Sequence, residues 1–137
     1  MTAAEPTRTK LGRASATIGT DRYHVELRVR RHQLAADEPP PHGADTAPTP
    51  TELLLSALGA CTAITLRMYA DRKRWPLTGV DVQLLLERIG DRDQIIRRIR
   101  LDGDLDDTQR TRLLDIAERT PVTRVIKHGL PIDTSTA

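Results

Sequence analysis

The chain contains no phenylalanine, one tryptophan (Trp75), two tyrosines (Tyr23 and Tyr69) and one cysteine, Cys61. The core must therefore be built from Leu, Ile, Val and Ala, and little is available to stack on nucleobases. One cysteine cannot close an intrachain disulfide, and there are no paired cysteines of the zinc-site kind. No apolar run approaches the about 20 residues that cross a bilayer, so no membrane partner is expected. The opening Met1-Thr-Ala-Ala-Glu-Pro6 lacks the apolar stretch of a signal peptide, and a cytoplasmic location is expected. Lysine is scarce, three residues against 18 arginines. The clusters Arg28-Val-Arg30-Arg31, Arg72-Lys73-Arg74 and Arg97-Arg98-Ile-Arg100 are interleaved with acidic residues, and net charge is only +2. They read as solvated faces, with no nucleic-acid partner.

At 137 residues the chain is one domain's worth, and a chain of this size hides roughly two-thirds of its unfolded surface. Residues 1–13 are polar and read as a flexible extension. Tyr23, Val25, Leu27 and Val29 alternate with polar residues, and Gly19-Thr-Asp21 supplies a turn, so a hairpin is expected over 14–31. Residues 35–50 carry five prolines, a density that only a long loop tolerates.

A helix is expected to start at Thr49-Pro-Thr-Glu52, with Thr49 as N-cap, Pro50 in the first turn and Glu52 closing a capping box. It should run to about Arg74, before Pro76. Its segment 53–64 is apolar on nearly every side, the mark of a buried helix. So small a chain can hardly cover it alone, which points to a partner subunit. A second hairpin is expected from the alternation at Val80–Leu86 and Ile95–Leu101 around Gly90-Asp-Arg-Asp93. A helix opening at Asp106 should stop at Thr120-Pro121, and a short one, capped by Thr120, should end at Gly129. Leu130-Pro-Ile132 reads as a last edge strand. The pattern is α+β.

Pro50-Thr-Glu-Leu-Leu-Leu-Ser-Ala-Leu-Gly-Ala-Cys-Thr-Ala-Ile-Thr-Leu-Arg-Met-Tyr-Ala70 resembles the signature of the OsmC/Ohr family of hydroperoxide reductases, in its OsmC-like redox-protein branch. Ala36-Asp-Glu-Pro39, Lys73-Arg-Trp-Pro-Leu77 and the stretch from Leu105 to Val122 fit the same branch. The resemblance implies an OsmC-like fold over about 14–134: an N-terminal β-hairpin, a long buried central helix, a second hairpin and C-terminal helices, in an intertwined homodimer. It implies that Cys61 is the thiol that attacks the outer oxygen of an organic hydroperoxide. The resulting sulfenic acid would be resolved by a second cysteine, with an arginine and a glutamate assisting the thiolate.

The family's second cysteine falls at Thr120, so an external thiol reductant is the expected partner. The glutamate falls at Thr51 or, one residue on, at Glu52, which equally serves as a capping-box residue. Glu52 and Cys61 are nine residues apart, roughly 13 Å along a helix and about 180° around it, so a shared site would draw Glu52 from the other chain. For the arginine, Arg31 is the choice, with Arg22, Arg28 and Arg30 as rivals. His32, His42 and His128 lack ligand spacing; no metal or cofactor is expected. Two readings stand: a single-cysteine peroxidase, and a catalytically degenerate dimer that binds a small apolar ligand or senses redox state.

Overall fold

Val25, Leu27 and Val29 alternate with charged residues on the middle strand of a three-stranded antiparallel sheet. The strands of this computed structural model, which describes residues 2–137, are β1 (Ser15–Ile18), β2 (Val25–Val29) and β3 (His32–Ala36), in the order β1-β2-β3. The register pairs Ala16 with Leu27 and Leu27 with Leu34. The expected hairpin is thus extended by a third strand. A two-residue turn joins β2 to β3, with Arg30 in the left-handed region at φ 54°. Residues 2–14 are exposed and carry no regular structure.

The proline-rich segment is a loop, and one carboxylate organises it. Asp37, 2% exposed, accepts from the Glu38 amide (2.7 Å), the Thr46 amide (3.0 Å) and the Thr46 hydroxyl (2.6 Å). These bonds, the Thr46 hydroxyl first, hold its carboxyl down at about 2.

Helix α1 (Pro50–Lys73) begins at the expected capping box. The Glu52 amide donates to Thr49 Oγ1 (3.1 Å), and the Thr49 amide donates to Glu52 Oε1 (2.9 Å). It ends where Arg74 turns left-handed at φ 59° and the Trp75 amide reaches back to the Ala70 carbonyl at 2.9 Å.

The chain divides into two compact units, residues 1–53 and 54–137. The second contains the long antiparallel ribbon β4 (Leu77–Ile89) and β5 (Arg92–Gly103), turned at Gly90 (φ 64°), then α2 (Asp107–Ala117) and α3 (Pro121–His128). α2 opens just after Asp106, as expected, and Asp106 and Gln109 cap it reciprocally. The core joins Leu66, Tyr69 and Ala70 of α1 to Leu77, Leu101, Leu105, Leu113 and Ala117.

One ribbon face is read directly from the register: Val80 opposite Leu101, Val82 opposite Ile99, Leu84 opposite Arg97, Leu86 opposite Ile95. α1 lies close on this face, because a Cβ added at Gly59 would sit 2.7 Å from Leu84 Cδ1.

Three expectations need correction. Leu130-Pro-Ile132 forms no strand: Pro131 has no amide to donate, and Leu130 and Ile132 are exposed. α1 is buried along one stripe, Leu58, Thr62, Leu66, Tyr69 and Ala70, rather than all round. By length and composition α1 also has the dimensions of a membrane span, which the apolar-run estimate missed because Ser, Thr, Cys and Gly punctuate it.

Candidate functional site

Cys61 lies in the middle of α1 as a free, half-buried thiol. The next residue, Thr62, is turned about 100° around the helix and is fully buried. Its hydroxyl donates to the Leu58 carbonyl at 2.7 Å and accepts from Arg97 Nη1 at 3.0 Å. The same Nη1 donates to Thr123 Oγ1 at 2.9 Å, and Arg97 Nη2 donates to the Ala117 carbonyl at 3.0 Å. Glu118 Oε1 is 3.5 Å from Nη2. One guanidinium therefore ties β5, the middle of α1, the end of α2 and the start of α3 together.

Thr120, at the expected second-thiol position, is buried and caps α3, accepting from the Thr123 amide at 3.3 Å. Its hydroxyl is 2.7 Å from that of Thr123, which reaches the Ala117 carbonyl at 3.2 Å. A consistent proton assignment follows. Thr120 donates to Thr123, Thr123 donates to Ala117, Thr62 donates to Leu58, and Arg97 supplies the remaining hydrogens. Among the described residues no buried side-chain polar atom lacks a partner.

Beside this network is an open cavity of about 590 Å³. Leu54, Leu58, Leu86, Ile95 and Ile126 form apolar walls; Arg97, Glu118, Thr123 and Lys127 bring polar groups to it. Cys61 follows Leu54 by seven residues and Leu58 by three, so it continues the same side of α1. Cys61 is not among the residues that line the cavity; Thr123, half of the redox-inert hydroxyl pair Thr120–Thr123, is.

The other expected site residues belong to the N-terminal unit. Glu52 is held in its capping box, and the Thr49 amide and hydroxyl keep its carboxyl below the usual range. Arg31 lies exposed in the β2–β3 turn, Arg28 and Arg30 are exposed, and Arg22 donates to the Pro41 carbonyl at 3.2 Å. Arg97 is the residue the sequence reading assigned to a solvated face. The missed signal was the alternation Ile95, Arg97, Ile99, Leu101, which puts it on the inward side of β5.

The model of the OsmC-like protein family matches residues 43–135. No curated protein matches in sequence. Among solved structures, an OsmC-like protein of Mycoplasma pneumoniae has a TM-score of 0.77 and 18% identity, covering 89% of this chain and 91% of its own. An organic hydroperoxide resistance protein from Legionella pneumophila has a TM-score of 0.65 and 20% identity, covering 88% and 92%. The organic hydroperoxide resistance protein of Bacillus subtilis has a TM-score of 0.59 and 16% identity, covering 88% and 93%. At these identities the three show the fold alone.

Proposed function

Because this chain belongs to the OsmC-like protein family, we propose that it reduces organic hydroperoxides through Cys61 alone, with an external thiol completing the cycle. The Cys61 thiolate attacks the terminal peroxide oxygen. An S–O bond forms as the O–O bond breaks, and the alkoxide leaves as the alcohol after taking a proton. The cysteine is oxidised to a sulfenic acid and the peroxide is reduced. A small thiol displaces water from the sulfenic acid to give a mixed disulfide. A second thiol then releases Cys61.

The observation that carries the single-cysteine form is the buried Thr120–Thr123 hydroxyl pair at the second-thiol position. Two relatives in fold are named as organic hydroperoxide resistance proteins, which supports the substrate class. Glu52 and Arg31 are the carboxylate and cation proposed to assist, with Glu52 drawn from a second copy of the chain. The working unit is a homodimer. In support, α1 exposes Ala57, Ala60, Ile64 and Met68 along one stripe at spacings of three and four, with Ile64 58% and Met68 66% exposed.

A second reading, a degenerate dimer that binds an apolar ligand or senses redox state, is favoured by the capping role that already occupies Glu52. Limiting cumene hydroperoxide without reductant, followed by adduct mass at Cys61, separates the two. Rapid stoichiometric sulfenic acid, absent in Cys61→Ser, is expected. A thiol no faster than free cysteine would leave the second reading.

A further inference from the structure

We infer that the cavity beside α1 is a binding site for an amphipathic carboxylate, with Arg97 as its anion pole. The inference stands whether or not Cys61 is reactive. Arg97 lies on the apolar face of the ribbon, and its side chain is only 11% exposed. Thr62, Thr123 and the Ala117 carbonyl satisfy hydrogens on the guanidinium but bring no charge, so Glu118 is its one counter-ion.

The acid that faces it, Glu118, is 3.5 Å away, 56% exposed, and shared with Lys127. The other acid of the cavity, Asp93, is taken by Arg88 through bonds of 2.6 and 3.0 Å. With Asp93 engaged by Arg88 from outside the lining, Glu118 alone is left to face the two cations that line the cavity, Arg97 and Lys127. A ligand with one negative end and an apolar body matches both that excess and the aliphatic walls. A planar carboxylate suits a guanidinium better than a spherical anion does. The cavity volume, about 590 Å³, is ample for a medium-chain acid. The ligand carboxylate would take the place of Glu118, which is exposed enough to turn out toward Lys127.

Isothermal titration with dodecanoate, below its micellar concentration, tests this against 1-dodecanol, the same chain without the charge. Dodecanoate is expected to bind with a Kd on the order of 10 µM, and dodecanol roughly tenfold more weakly. Glu118→Gln, which removes the competing acid, is expected to tighten dodecanoate several-fold, and Lys127→Gln to weaken it; both positions are solvent-exposed and spare the fold. Arg97→Lys should weaken it most. No dodecanoate binding, equal affinity for dodecanol, or an affinity unmoved by both Glu118→Gln and Lys127→Gln would overturn the inference. The same titrations on Cys61→Ser should be unchanged, and a protein inert to cumene hydroperoxide would still bind dodecanoate.

Discussion

Arg97 and Thr62 meet at 3.0 Å across 35 positions of sequence, and Thr62 adjoins the only thiol. That bond, together with those to Thr123 and the Ala117 carbonyl, makes Arg97 a structural centre as well as a charge. Removing a nearly buried guanidinium takes one hydrogen bond from each of three buried groups, although Thr62 keeps Leu58 and Thr123 keeps Thr120 and Ala117, and it leaves a void beside α1.

Arg97→Met is therefore expected to destabilise the protein by about 3 kcal/mol. Equilibrium urea unfolding measures it, with Arg97→Lys recovering part of the loss. A change below about 0.5 kcal/mol, the range of surface substitutions, would show that the three partners find water instead.

Thr120 combines an N-cap with a buried hydroxyl. Thr120→Ala should cost about 1–2 kcal/mol, and Thr120→Ser, which keeps the oxygen, well under 1. Thermal unfolding of the two variants side by side checks this. Equal losses would assign the effect to the lost methyl rather than to the hydroxyl.

Asp37 supplies an acid-sensitive element. Its folded carboxyl titrates at about 2, against 3.8 for the free group. A depressed value means the stabilising contribution is complete above about pH 4 and fades as pH falls toward 2. Asp37→Asn should therefore be less stable than the parent at pH 6, and the difference should shrink between pH 4 and pH 2. Denaturation series at both ends of that window read it directly; a difference constant with pH would sink the assignment.

If α1 docks against a second copy, a charge on its bare stripe should separate the two. Ile64→Glu and Met68→Glu are expected to convert a dimer to a monomer in sedimentation velocity, since burying an unpaired carboxylate is prohibitive. Parent protein that sediments as a monomer at micromolar concentration would remove the homodimer from the proposal.

Much of this architecture was legible because caps and alternation are local signals. Thr49 with Glu52, Asp106 with Gln109, and Thr120 with Pro121 marked three helix starts to within a residue. β3 was missed because His32-Gln-Leu-Ala-Ala36 has no alternation and its turn uses Arg30 rather than Gly or Asn. Leu130 and Ile132 misled because apolar spacing alone does not show whether a partner strand exists. At the candidate site, Cys61 and Thr120 were singled out through the family signature. Arg97 was hidden by its neighbours: Arg98 and Arg100 are exposed, and an arginine in phase with Ile95 and Ile99 was grouped with them, although its pairing with Leu84 turns it inward.

The hydroxyl pair at Thr120 and Thr123 neither titrates in the physiological range nor changes covalently with the redox poise of its surroundings. The bonds that dock α3 through this pair therefore contain no redox-active atom. With no thiol at Thr120, α3 offers Cys61 no disulfide partner, so on the proposed chemistry an oxidation at Cys61 would stay on one helix, and any message it carried would leave through whatever thiol or ligand met Cys61 from outside.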